Sequence, residues 1–258
     1  MTIFQAIVVG IVQGLTEFLP VSSSGHIELS KAILGVHLED NLEFSIAVHV
    51  ATVLSTLLVF RKEIVELIAG LFRFENNQQT QYVFKLLVSA IPVGVVGVLF
   101  KDEIESLFEG NLIVVGVMLL VTSALLALTR LIKRPIAKPI TYIDSIIIGI
   151  SQTFAILPGL SRSGATISTG LLLGKDRDET ARFSFLMVII PVLGAAFIDI
   201  VKGDAVNVLT APLIAGFIAA FVSGFLACSF MLRIVRKGNL YWFAIYCALV
   251  GVVALIFA

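Results

Sequence analysis

Six stretches of this 258-residue chain, approximately 43–60, 83–100, 112–130, 183–201, 211–232 and 240–258, are apolar almost without interruption. Crossing a hydrocarbon core of about 30 Å takes about 20 apolar residues in helical form, and a soluble domain has nowhere to bury so many runs of that length. The expected fold is an all-α polytopic membrane protein with six transmembrane helices, because only helices and closed barrels satisfy their backbone in lipid. Composition agrees, at 58% hydrophobic and 14% charged, where soluble domains carry about 25% charged residues. The formal net charge is zero, so nothing global recommends nucleic acid as a partner. Cys228 and Cys247 both lie in apolar runs, so neither a disulfide framework nor a zinc site is expected. The N-terminal run has no basic flank and no small-residue cleavage pattern after it, so a cleaved signal peptide is not expected.

Two further apolar regions, 3–35 and 142–174, are too long for one span and are broken internally by LPVSSSG and LPGLSRSG. The return helices, about 24–34 and 163–173, hold roughly eleven residues each and reach about 16 Å, half a membrane. Both regions are therefore expected to be re-entrant helix pairs, with their broken backbone buried in protein.

Loop charge orients the chain. Basic residues collect at 61–82 (Arg61, Lys62, Arg73), 130–139 (Arg130, Lys133, Arg134, Lys138), 174–182 (Lys175, Arg177, Arg182) and 233–239 (Arg233, Arg236, Lys237). These loops are expected inside, and 1–42, 101–111 and 202–210, with one lysine each, outside. Six crossings fit this order only if the first pair enters from outside and the second from inside.

An offset of 139 residues aligns the chain with itself. It pairs Gly10, Ile11 and Gln13 with Gly149, Ile150 and Gln152, then Ser22, Ser24 and Gly25 with Ser161, Ser163 and Gly164, and later Gly35 with Gly174. One register through glycines, serines and a glutamine indicates duplication within a single membrane domain, 1–258, with halves approximately 1–138 and 139–258. With three spans per half the second copy is inverted, an architecture in which broken helices meet near the midplane.

The two breaks carry the chemistry. Pro20 and Pro158 are expected to end the descending helices, and serines to cap the returning ones. Two helix N-termini facing each other make an anion site, and Gly25 and Gly164 allow close approach to a ligand. The halves differ where Glu17 lies opposite Ile156, His26 opposite Ala165 and Ser23 opposite Arg162. One loop thus brings a carboxylate, an imidazole and an extra hydroxyl, the other a guanidinium suited to phosphate. Ser23 is the nucleophile candidate, since Ser22 and Ser24 share a capping role with Ser161 and Ser163. His26 is a candidate general base or acid. Arg162 has a competing reading as a salt bridge to Glu17 that ties the halves together. Gln13, one turn before Glu17, reads either as part of the site or as a polar tie between helices. His49 reads as a packed neutral histidine, Glu43 and Arg182 as interfacial anchors, Asp199 with Lys202 as a solvated helix end, and 61–85 as a polar loop.

The segments GIVQGLTEFLPVSSSGH and LPGLSRSGATISTGLLLG resemble the two signature regions of the undecaprenyl-diphosphate phosphatase family, the bacitracin-resistance type of integral membrane phosphatase. Gln13 and Glu17 fit the first pattern; Pro158, Gly159, Ser161, Arg162, Ser163 and Thr166 fit the second. The resemblance covers essentially the whole chain. It implies hydrolysis of undecaprenyl diphosphate to undecaprenyl phosphate and phosphate, which recycles the lipid carrier of cell-wall polymer synthesis. It further implies a divalent cation, Mg2+ or Ca2+, and a site in the plasma membrane open to the outer face. Carried onto this sequence, Glu17, Ser23, His26 and Arg162 form the catalytic group, with Gln13, Ser22, Ser24, Gly25, Ser161, Ser163, Gly164 and Thr166 around the substrate. Glu17 is the best candidate metal ligand. Many family members have glutamate where this chain has Gln13, which takes away one charged ligand or base.

The competing function is a lipid or anion transporter or flippase, because inverted repeats with discontinuous helices also build carriers. Whether the chain forms a homodimer is not legible.

Overall fold

The structure is a computed structural model that describes residues 1–34, 42–100, 103–104, 111–131, 138–202 and 210–258. The Gly35 match and the loop charges at 101–102, 105–110, 132–137 and 203–209 lie outside the described residues, and so do the side chains of Glu43, Asp199 and Lys202, on which the anchoring and helix-end readings rest.

Among the described residues the regular structure is helical. In chain order the helices are α1 (Ile3–Phe18), α2 (Ser23–Leu34), α3 (Leu42–Val59), α4 (Arg61–Leu71), α5 (Gln78–Leu99) and α6 (Leu112–Leu128). Then follow α7 (Tyr142–Phe154), α8 (Arg162–Leu172), α9 (Arg177–Met187), α10 (Ile189–Lys202), α11 (Ala211–Lys237) and α12 (Tyr241–Ile256). Four apolar segments are long enough to cross a membrane: α5, α6 with the turn after it, α9 running into α10, and α11. α3 and α4 pass the same test only when taken together, and they are bent by 80° after Val59. The last expected span, α12, is a shorter apolar helix of 16 residues. Phe4, Val98, Phe197, Leu226, Trp242 and Leu249 stand exposed around the outside. Water penalises such a surface and lipid favours it.

Two expectations need correction. The run 61–85 is not a loop: Ile64, Val65, Leu67, Ile68 and Leu71 recur at helical spacing among Arg61, Lys62, Glu63 and Glu66, and they form α4. Asn77 then caps α5, accepting from the Thr80 N–H at 2.8 Å while its amide donates to the Gly70 carbonyl at 2.9 Å. Pro158 does not end α7, which stops at Phe154 and unwinds through a tight turn in which Ile156 N–H bonds Thr153 O and Leu157 N–H bonds Phe154 O. In the first break Pro20 acts as expected. Leu19 before it is extended (φ −69°, ψ 140°), and α1 stops at Phe18.

The helices matched by the offset, α1 and α7, each pack on a helix of the other half, α1 along α11 and α7 along α5. Both contacts need a missing side chain. A Cβ on Gly10 would stand 2.3 Å from Gly216 O, and one on Gly149 would stand 2.4 Å from Ser89 O. Backbones that approach this closely are the usual glue of membrane helices, where the hydrophobic effect gives no drive for association. α6 and α12 pack on each other behind the two breaks, joined by Ser123 Oγ donating to Ala244 O at 2.7 Å.

Candidate active site

The two breaks touch. Ser163 Oγ donates to Leu19 O across the interface at 3.2 Å, and the Gly159 N–H donates back to Ser24 Oγ at 3.4 Å. Gly159 sits at φ +93°, and a Cβ there would lie 2.4 Å from Val115 O, so only glycine lets the second break lie flat against α6. Thr122 of α6 holds the same turn, accepting from the Ser161 N–H at 3.0 Å and donating to Gly159 O at 3.3 Å.

Each return helix starts with the same device. Ser22 Oγ accepts from the Gly25 N–H at 3.2 Å and lies 3.2 Å from Ser24 Oγ. Ser161 Oγ accepts from the Gly164 N–H at 3.1 Å and lies 3.3 Å from Ser163 Oγ. Of the four serines expected to cap, only Ser22 and Ser161 do so, while Ser24 and Ser163, already inside the helices, tie the breaks to each other; Ser23 and Arg162, one at the start of each helix, are left for other work. Ser22 adopts φ +71°, a conformation that costs a side-chain-bearing residue about 1–2 kcal/mol. Its carbonyl thereby accepts from both the backbone N–H of His26 at 3.2 Å and the His26 ring Nδ1 at 2.8 Å.

Glu17 is where the halves meet chemically. Its Oε2 accepts from Ser23 Oγ at 2.7 Å and from Gln13 Nε2 at 3.0 Å, and its Oε1 is paired with the Arg162 guanidinium from the opposite break. The carboxylate is almost fully enclosed, whereas a quarter of the Arg162 side chain remains exposed. A buried carboxylate in the last turn of α1, at the negative end of the helix dipole, is costly unless something cationic faces it. Arg162 and the N-terminus of α2 do so. Gln13 Oε1 is buried and has no hydrogen-bond partner among the described residues, a carbonyl oxygen waiting for a donor or a cation.

His26 is not bonded to Ser23. With Nδ1–H given to a carbonyl, its Nε2 accepts from the Tyr246 hydroxyl at 2.7 Å, and the two rings stack 5.6 Å apart. Thr166 lies one turn below Arg162, its hydroxyl donating to Arg162 O at 2.8 Å and lying 2.6 Å from Ser184 Oγ. His49 donates Nδ1–H to Ser45 O at 2.8 Å and lies within electrostatic reach of Glu17. The structure thus gathers Gln13, Glu17, Ser23 and Arg162 in one constellation, with His26 beside it and Thr166 beneath. Tyr246, Thr122 and Ser184 are the partners that local sequence did not reveal. Only the aromatic-rich start of α12 hinted at the first.

No cluster of three or more histidine, cysteine or acidic side chains arises among the described residues. The donor set that does exist, the Glu17 carboxylate and the orphaned Gln13 amide oxygen, is all oxygen, the chemistry that a hard divalent cation takes.

Comparison with known proteins accords with this arrangement. The chain is 54% identical to the undecaprenyl-diphosphatase of Bacteroides fragilis, over 98% of this chain and 97% of that protein. The enzyme of the same name from Parabacteroides distasonis is 53% identical over 99% of this chain and 98% of its own length. That from Methanobrevibacter smithii is 38% identical over 98% and 96%. The model of the bacitracin resistance protein BacA family matches residues 6–253, nearly the full length. This polytopic membrane protein belongs to the BacA family.

Proposed function

We propose that this protein hydrolyses undecaprenyl diphosphate, the substrate in its relatives' name, to undecaprenyl phosphate and inorganic phosphate, and so returns a lipid carrier to cell-wall polymer synthesis. One observation carries the reading: a serine hydroxyl, a carboxylate and a guanidinium from two oppositely loaded breaks converge between two helix N-termini. A diphosphate brings several negative charges to membrane depth. The unpaired first-turn N–H groups of α2 and α8 and the free face of Arg162 offset them, and hold the charge that spreads over the transferring phosphoryl group.

In this reading Ser23 Oγ attacks the terminal phosphorus while Glu17, already accepting its hydrogen bond, takes the proton. The bond from that phosphorus to the bridging oxygen breaks, and undecaprenyl phosphate leaves with the electron pair. Water then attacks the phosphoserine. Its proton passes to His26, Glu17 returns the first proton to Ser23 Oγ as phosphate departs, and the Ser23 hydroxyl is restored. His26, held by Ser22 O and Tyr246 beside the start of α2, acts in its imidazolium form as the acid toward the bridging oxygen, and the water's proton restores that form. A divalent cation would be held by Glu17 and Gln13 and would supply charge neutralisation on the phosphate oxygens. The basic loops mark the cytoplasmic side, so the first break enters from outside; the family resemblance has the site open to the outer face of the plasma membrane. The two halves are inverted copies, and the exchange of α1 onto α11 and of α7 onto α5 supports this.

The test is phosphate release from undecaprenyl diphosphate by the purified protein with Mg2+ or Ca2+. Wild type should release phosphate, and Ser23→Ala and Arg162→Ala should not. Release at the wild-type rate by both variants would overturn the site assignment, and no release by wild type with either cation would overturn the function.

A further inference from the structure

The side of the molecule that carries the basic loops holds a second feature, away from the two breaks. α3 bends by 80° into α4 after Val59, so α4 runs sideways, with Val65, Ile68, Phe72 and Phe74 exposed along and just beyond it. An apolar face on a helix that turns out of a span is how a chain lies in the interface of a bilayer. Between α4, α5, α9 and α11 a cavity of about 520 Å³ opens. Val59, Phe60, Leu67 and Leu232 form its apolar part, and Arg61, Lys62, Arg182 and Arg236 its cationic part.

Several observations indicate what it takes. Arg182 is already balanced by Asp178 at 2.8 Å and Glu63 at 3.4 Å, and Arg236 by Asp178 at 2.5 Å. No ion pair among the described residues holds Lys62 or Arg61, whose guanidinium donates one hydrogen bond to Leu58 O at 3.0 Å, and Glu66 is the one carboxylate of the lining left to face them. Both cations stand in the first turn of α4, whose N-cap, Phe60, provides no side-chain hydrogen bond. Glu63, the acid of that first turn, is drawn to Arg182, so two cations remain at the positive end of an uncapped 11-residue helix, and an anion there relieves both the charge and the open N–H groups. The Tyr82 hydroxyl, on the same lining, is buried without a hydrogen-bond partner.

We propose that this cavity is a binding site for a phosphate group, separate from the catalytic breaks, held by Arg61, Lys62, the first-turn N–H groups of α4 and the Tyr82 hydroxyl. The group is the headgroup of an anionic phospholipid in the adjoining leaflet or free inorganic phosphate. The apolar part of the cavity and the interfacial position of α4 suit a lipid; the hydrogen-bonding set suits either.

The experiment uses the full chain carrying Arg162→Ala, so that the catalytic site contributes little anion affinity. In nanodiscs of phosphatidylcholine with increasing phosphatidylglycerol, native mass spectrometry should show phosphatidylglycerol retained in preference to phosphatidylcholine. Adding Arg61→Gln with Lys62→Gln should weaken that retention about thirtyfold, the worth of two basic side chains beside an anionic lipid. Tyr82→Phe should weaken it several-fold, and it carries the test alone should the double variant fail to fold. Displacement of the lipid by millimolar inorganic phosphate would assign the site to the phosphate group from either source; lipid retained against phosphate would assign it to the headgroup with its chains. Equal retention of both lipids together with no phosphate binding, or retention unchanged in the variants, would overturn the proposal.

Discussion

The first and second breaks share a cap and differ in almost everything else. Both set a serine to accept from the N–H of the glycine three residues on, yet Ser22 does so at φ +71° and Ser161 at φ −71°. The first break interrupts helix for 19–22 and the second for 155–161, so α7 is unwound where α1, at the matching offset, is still helical. The added turn of α1 is the one that carries Glu17 and keeps it four residues from Gln13, on the same face. Ile156, in the matching place, has no such duty, and the chain there closes against α6 through Gly159. The two breaks thus share their capping chemistry and differ in what they present, a carboxylate and a hydroxyl from one and a guanidinium from the other.

That comparison is most easily broken at its charges. Glu17→Gln keeps the shape and removes the base and the counter-charge together; phosphate release should fall about a thousandfold, by analogy with the loss of a charge-stabilising group in a preorganised site. Exchanging the partners, Glu17→Arg with Arg162→Glu, should restore an ion pair between the breaks and leave the protein folded by thermal unfolding in detergent, but inactive. Recovery of activity in the exchanged protein would mean that the pair is only a tie between halves. Arg162→Lys keeps the charge and loses the planar fork, and should cost about a hundredfold in kcat/KM.

The backbone difference gives a second pair of tests. Gly159→Ala adds a Cβ 2.4 Å from Val115 O at a φ of +93°. It should destabilise by about 2 kcal/mol or more, from left-handed strain together with overpacking. Gly25→Ala meets Gly159 Cα at 3.2 Å and Val115 Cγ1 at 3.3 Å, contacts that relax by a few tenths of an ångström. Its loss should stay below about 1 kcal/mol, since alanine also favours the helix. Equal Tm losses in the two variants would show that the second break is not the stiffer one.

What the sequence made legible follows the range of the interactions. The return helices, read at about 24–34 and 163–173, lie at Ser23–Leu34 and Arg162–Leu172, because proline, serine and glycine act on their own neighbours. The pairing of Glu17 with Arg162 followed from the offset alone, which brought two distant segments into one frame. α4 was hidden because its charges lower the mean hydropathy while its apolar residues keep a helical period. The end of α7 was hidden because Pro158 looked like the stop, and the close packing of the second break on Val115 unwinds the helix one turn sooner. Tyr246 was hidden more deeply. It reaches His26 across 220 residues, and nothing in its own neighbourhood distinguishes it from the other aromatics of α12.

Tyr246 also offers the finest test of how the two breaks differ, since Ala165, the counterpart of His26, has nothing for such a hydroxyl to bond. In the first break the His26 ring is fixed at both nitrogens, by Ser22 O and by Tyr246, and a ring so held presents one tautomer in one orientation. Tyr246→Phe keeps the stacked ring and deletes one hydrogen bond of about 1 kcal/mol, so kcat should fall about fivefold with KM unchanged. In a His26→Ala background the same change should have no further effect, because the two side chains then no longer share an interaction. A fivefold loss that persists without the imidazole would instead place Tyr246 against the substrate itself. Loss of the coupled effect alone would show that Tyr246 acts only by positioning His26, and that the second break needs no such partner because it carries no proton to deliver.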